Sequence, residues 1–186
     1  ISQGAADGGP RGVLGLLPPF LPRIRVPPPF LWKGRERQVL FYATATGPTL
    51  PGSERNLRTA VVEILKSSGL PFRGGIVNPG PPYPVPPPHL HVPAVSRARH
   101  GALLRTAMLC LAPAGNNPVT KRFLEILASG ALALTTGLES VRWLRGRLRP
   151  GEHYVAIRDD LSDLAEKAAY YLDHADEAEV IARVEA

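Results

Sequence analysis

The sequence predicts an α/β fold, a Rossmann-like doubly wound parallel sheet. Three observations carry that reading. Val39–Ala43, Met108–Ala112 and Ala131–Thr135 are apolar runs of strand length, without the alternation of a half-exposed strand. The last two are joined by a polar loop and one short amphipathic helix, a connection that closes as a right-handed parallel crossover. Strand and helix patterns then alternate along the rest of the chain, as a doubly wound sheet requires.

Each element has local support. Val39–Ala43 reads VLFYA, rich in aromatic and β-branched residues. Thr44–Gly52 is a loop of small residues with Gly47, Pro48 and Pro51. Ser53 is the expected cap of the next helix, with Glu54 in its first turn and Leu57, Val61, Ile64 and Leu65 on one face. Gly69 ends it, and a short strand follows around Ile76. Asn78–Pro93 holds eight prolines and reads as an irregular surface loop. Ala94–Arg105 is a helical stretch feeding the Met108 strand. Pro113–Pro118 holds Gly115, Asn116 and Asn117, all loop formers. Thr120 or Asn117 can cap a helix over Lys121–Ser129, which Gly130 stops. Arg142–Arg149 is basic, Pro150-Gly151 is a turn, and Tyr154–Ile157 is a strand. Asp159 or Asp160 is the expected cap of a helix with Leu161, Leu164, Ala165, Ala168 and Leu172 on its face. A last acidic helix starts at Asp176.

Composition bounds the function. The chain has 186 residues, 44% of them hydrophobic, enough for one sizeable core. It begins with Ile, so it reads as a piece of a longer protein. Residues 1–36, with Pro18-Pro19, Pro22 and Pro27-Pro28-Pro29, read as a tail or linker, and 37–186 as the folded domain. Phe30, Leu31 and Trp32 are apolar enough to pack on a neighbouring surface. No run of eighteen apolar residues exists, so no membrane span is expected in this chain. Cys110, the single cysteine, excludes an internal disulfide and reads as a small core residue. Net charge is +6, unevenly spread. No Asp or Glu occurs between Ile64 and Leu124, whereas ten acids follow Pro150. A positive middle suits an anionic ligand held in one place. Nucleic acid is the rival reading, weakened by 6% aromatic content and by the lack of interleaved basic and aromatic residues. His89 and His91 have no acid or thiol near them in sequence, so no metal site is expected there.

The candidate site lies in the Leu109–Thr136 unit. Ligands bind beyond the carboxyl ends of strands in such sheets. The start of the Lys121 helix offers free N–H groups and a positive dipole end, which suit a phosphate. Lys121 and Arg122 place two cations in the first turn, where the dipole disfavours them. The plain alternative is a solvated surface with Arg122 and Glu125 paired at i,i+3.

The motifs LCLAPAGN and KRFLEILASGALALTT, with RQVLFYATATG and NLRTAVVEIL upstream, resemble the nucleotide-sugar-binding half of GT-B glycosyltransferases, most closely the exostosin-like group. The end, GEHYVAIRDDLSDLAEKAAYYLDHADE, is similar to the bacterial spore-protein-like glycosyltransferases. The likeness runs from about Arg37 to the end and is most specific at Ala112–Thr136. It implies the single C-terminal half of a GT-B fold and a donor that is a nucleoside diphosphate sugar, with no further cofactor. The acceptor would be a glycan or protein, with nucleic acid not a partner. By the resemblance Arg122 and Arg58 face the donor diphosphate, and Glu125 accepts hydrogen bonds from the ribose hydroxyls. Gly115 and Asn117–Thr120, with Lys121, would line the phosphate site. Catalytic residues are not assigned, because acceptor and base come largely from the N-terminal domain of such enzymes. The departures are specific. Asn117 stands where many retaining enzymes carry a first glutamate, the cysteine or proline usual near Ala131 and Ala133 is absent, and the first loop reads ATATG. No Asp-x-Asp motif occurs. The exostosin-like likeness implies the Golgi lumen, and the bacterial one the cytoplasm. A non-catalytic Rossmann-like interaction domain, or a truncated fragment, is the alternative.

Overall fold

The computed structural model describes residues 32–83, 85–141 and 147–183. The apolar runs become the strands Glu36–Thr44 (β1), Phe72–Val77 (β2), Ala107–Ala112 (β3), Leu132–Thr135 (β4) and Val155–Ala156 (β5). They form one parallel sheet in the order β2-β1-β3-β4-β5, the reversal of order that marks a doubly wound fold. The register sets Val39 beside both Phe72 and Leu109, and Leu109 beside Leu132. All six residues of β3 are buried, as a central strand covered on both faces must be.

The helices are Leu57–Ser67 (α1), Arg97–Thr106 (α2), Lys121–Ser129 (α3), Leu164–Asp173 (α4) and Ala175–Ala182 (α5). Val39, Phe41 and Ala43 pack with α1, α4 and α5 on one face. Leu40, Cys110 and Ala112 pack with α2 and α3 on the other. Burial raises the Cys110 thiol to about 12, which fits an unreactive core residue. Trp32 packs onto the first cluster just ahead of β1. The rest of the Pro-rich stretch, residues 1–31, and residues 142–146 of the basic segment lie outside the described residues.

Two expected caps are corrected. Asn56, not Ser53, caps α1, its side chain accepting from the Arg58 and Thr59 N–H groups at 3.0 and 3.2 Å. A tight turn forms first, with Ser53 N donating to Leu50 O and Leu50 N to Arg55 O. The Ser53 hydroxyl is taken by the Arg55 N–H at 3.0 Å, so Ser53 and Glu54 stay outside the helix. Likewise neither Asp159 nor Asp160 caps α4; Asp160 closes a turn by accepting from Ser162 N at 2.9 Å, and the helix starts after Asp163. Leu161 therefore lies in that turn, at φ 63°, and plugs the core from there instead of from a helical face. Leu164, Ala168 and Leu172 occupy the face expected of them.

Gly74 explains why β2 can lie so close to β1. A Cβ there, at φ 136°, would sit 1.8 Å from the Phe41 carbonyl oxygen. The Pro-rich loop covers the outer side of β2. Ile76 N donates to Leu90 O at 2.8 Å and Val92 N to Ile76 O at 3.0 Å, so the edge strand is not left as an open template.

Asp163 ties β5 to α4. Its carboxylate, 8% exposed, accepts from Lys167 Nζ at 2.8 Å and from Arg158 N at 2.9 Å. Burial pushes its pKa up, and the two donors outweigh that and hold it below the ordinary range. An Asp163→Asn variant should lose about 1–2 kcal/mol at pH 7. The folded carboxyl is the stronger acid, so this contribution is complete above about pH 4 and fades as pH falls through the lowered value. Urea midpoints of both proteins at neutral pH and near pH 2 test it, and a gap equal at both pH values refutes it.

Candidate functional site

Because β1 and β3 are neighbours, the loops leaving their carboxyl ends face one another. From one side comes Arg58, in the first turn of α1. Its Nη1 donates to Thr46 Oγ1 at 3.1 Å and to Thr44 O at 3.4 Å. The guanidinium runs between Gly47 and Gly115. A Cβ on Gly115 would lie 3.3 Å from Arg58 Nη2 and 3.4 Å from the Thr120 methyl, so that position favours glycine. Arg58 Nε is buried with no hydrogen-bond partner among the described residues. Burial also lowers the pKa of this arginine. A guanidinium held by neutral groups with a donor to spare is suited to an anion.

From the other side comes the start of α3. Thr120 caps it, its hydroxyl accepting from Phe123 N at 3.2 Å. Gly130 closes the helix at φ 72°. The loop before it is held by Ala114 N donating to Thr136 Oγ1 at 2.9 Å and Gly115 N to Asn117 O at 3.2 Å. The first N–H groups of α3 have no helical acceptor and lie at the positive end of the helix dipole.

Between the two lies an open cleft of about 580 Å³. Of the residues expected at the site, Arg58, Gly115, Asn117, Thr120 and Lys121 line it. Arg122 and Glu125 do not. Arg122 turns toward the sheet, its guanidinium 5.4 Å from the Phe41 ring centroid. Burial first, then the positive charge of Arg58, bring its pKa down to about 10, while Glu125 works the other way. The two arginines are thus within electrostatic reach of each other at the head of the sheet. The Arg122–Glu125 pair of the surface alternative is replaced by another: Glu125 pairs with Lys121 at 3.6 Å, one helical turn apart, and Arg122 is drawn inward. Lys121 is half exposed, so that pair adds little.

Thr46, Tyr83 and Asn116 also line the cleft and had no distinguishing sequence signal. His100, on α2, stacks edge-on to Tyr42 at 6.3 Å. Burial and Arg122 hold its pKa below the ordinary value, against an opposing pull from Glu125, so it is neutral at pH 7. A second hollow near β5, of about 310 Å³, is lined by Arg158, Asp163 and Lys167, whose charges are already paired. Among the described residues no three His, Cys, Asp or Glu side chains gather as metal ligands would, and no helix is long and apolar enough to cross a membrane.

The sequence matches the glycosyl transferase-like family over residues 58–185, more than half of the chain. The chain belongs to this family. The matched span begins at Arg58 and takes in all of α3, so the family covers both sides of the cleft except the loop after β1. A curated relative, the O-glucosyltransferase LpsA of Dichelobacter nodosus, is 36% identical over 66 residues, 35% of this chain and 21% of the relative. The chain spans about a fifth of the length of the curated relative it matches. The glycosyl transferase-like domain is a parallel five-stranded sheet flanked by helices, an α/β Rossmann-like fold.

Proposed function

We propose that this domain is the donor-binding half of a GT-B glycosyltransferase of exostosin-like type, transferring a sugar from a nucleoside diphosphate sugar to a glycan or protein acceptor. One observation carries the reading: Arg58 and the start of α3 converge where the carboxyl ends of β1 and β3 meet, beside a cleft that among the described residues is lined by no carboxylate, with Arg122 behind it and within electrostatic reach of Arg58. Two cations within reach of one another destabilise an empty site and are compensated by a polyanion. As the sugar leaves, negative charge grows on the nucleoside diphosphate. Arg58, Arg122 and the N–H groups of α3 would stabilise that charge more strongly in the transition state than in the bound donor. Gly115 lets the arginine approach, and Asn117, Val119 and Thr120 carry backbone N–H donors, Pro118 having none.

Calorimetric titration with nucleoside diphosphates tests the reading. The wild-type protein should bind one of them saturably. Arg58→Ala, which removes a charge-assisted contact worth about 1.5–3 kcal/mol, should weaken that binding about ten- to a hundredfold. Absence of saturable binding, or binding indifferent to Arg58→Ala, would refute it. The Lys121–Glu125 pair favours a second reading, an interaction domain in which the charges of α3 only solvate its surface. That reading requires both variants, Arg58→Ala and Glu125→Gln, to leave ligand binding absent or unaltered.

A further inference from the structure

We propose that Tyr83 is a specificity residue of this cleft, an aromatic platform for the sugar ring of the donor. This rests on the donor-binding reading above. Tyr83 is 50% exposed, unusual for so large a ring in a domain whose other aromatic side chains are mostly covered. It lines the same cleft as Arg58 and Thr120, although it arrives from the Pro-rich loop after β2. That loop turns just before the ring and is anchored to the fold beyond it. The Tyr83 N–H donates to Gly80 O at 3.1 Å. Further on, Leu90 is buried against the core and pairs with Ile76, while Lys66 Nζ reaches His89 O at 2.5 Å. The ring therefore follows a closed turn in a loop tied to the fold farther on, which lowers the entropy cost of ordering it against a ligand.

The chemistry of the remaining lining points to a sugar. Thr46, Asn116 and Asn117 present a hydroxyl and two amides, groups that donate and accept and so suit a neutral polyol. One exposed aromatic face beside such groups matches a pyranose, which has an apolar C–H face and a rim of hydroxyls. The nucleoside has another place to go. Glu125, the ribose acceptor of the donor reading, lies farther along α3 and outside this lining, near His100. With the diphosphate at Arg58 and the nucleoside running along α3, the sugar falls on the Tyr83 side.

The test compares each nucleotide sugar with its own nucleoside diphosphate, using UDP-glucose and UDP, GDP-mannose and GDP, and ADP-glucose and ADP. For the pair that the wild-type protein binds, Tyr83→Ala should weaken the nucleotide sugar about three- to tenfold and leave the diphosphate within about twofold. Tyr83→Phe should bind both normally, since the ring face does the work. Equal weakening of both ligands would place Tyr83 against the phosphates or nucleoside and overturn the proposal. Unchanged binding of both would overturn it as well. If none of these ligands binds even the wild-type protein, the donor site itself is refuted and this inference falls with it. Tyr83 is half in solvent, so circular dichroism melting curves of the variants should match wild type. A melting point lowered in Tyr83→Ala alone, together with weakened binding of both ligands, would assign the residue a structural role instead.

Discussion

Replacing Arg35 with methionine is expected to destabilise the domain by about 2–4 kcal/mol, the largest stability loss of any single position discussed for this chain. Arg35 lies just before β1 and is only 9% exposed. Its Nη1 donates to Leu104 O at 3.0 Å and Ala107 O at 2.7 Å, and its Nη2 donates to Ser129 O. Leu104 and Ser129 lie at the ends of α2 and α3, where helices leave acceptors without helical donors and carry the negative end of the dipole, and Ala107 opens β3 directly after α2. The arginine thus satisfies orphan carbonyls of two helices at once and also lies 5.6 Å from the Trp32 ring. Burial lowers its pKa to about 10, still well above neutrality, so the clamp is charged at pH 7. Methionine fills most of the volume and leaves the carbonyls buried without donors. Lysine restores the charge but not the fork, so Arg35→Lys should recover only part of the loss. Urea unfolding monitored by the two tryptophans' fluorescence reads both variants. A loss below about 0.5 kcal/mol for methionine would show that water or a local shift supplies the missing donors.

The position of Arg35 shows where the sequence stops being legible. The strands could be read because a stretch buried on both faces is apolar, and Val39–Ala43 of β1, all of β3 and most of β4 are. The helix α3 could be read because Thr120 and Gly130 are local signals of its two ends. Arg35 could not, since its partners are carbonyls of α2 and α3, and backbone acceptors leave no trace in residue identity. The caps of α1 and α4 were misplaced for a related reason. Ser53 and Asp160 satisfy the local preference for capping residues equally well as turn formers, and in the fold both side chains accept from an N–H two residues on, inside a turn that precedes the helix. The site divides in the same way. Gly115, Thr120 and Arg58 belong to segments with recognisable patterns, whereas Thr46 and Tyr83 join them only because the sheet order sets the loops of β1, β2 and β3 side by side. Leu161 was assigned to the correct core but to the wrong element, since its hydrophobicity was evident and its left-handed backbone was not.

Arg122→Met, in an enzyme carrying this domain, is expected to lower kcat about ten- to a thousandfold while leaving the ligand-free fold nearly as stable as wild type. The two halves of that result come from the same geometry. In the empty domain Arg122 is held over Phe41, where burial and the charge of Arg58 both oppose its ionised form. Removing the charge ends the repulsion, and methionine retains most of the packing, so the stability change should stay within about 1 kcal/mol of zero. With a donor bound, the same two cations face growing negative charge on the leaving diphosphate, and the loss of one is felt most in the transition state. Glu125→Gln should separate from it. On the donor-binding proposal its contacts to ribose hydroxyls would be made in ground and transition states alike, so the effect should fall on the donor KM, about 1–3 kcal/mol, with kcat nearly kept. Lys121→Met is a third case, because it frees Glu125 from its salt bridge and also removes a half-exposed cation from the cleft lining, so the donor KM should rise about three- to tenfold with kcat nearly kept. Steady-state kinetics with thermal melts of all three variants distinguish the cases. If Arg122→Met melts several degrees lower and keeps wild-type kinetics, the arginine is part of the packing over Phe41 and has no part in stabilising the leaving group.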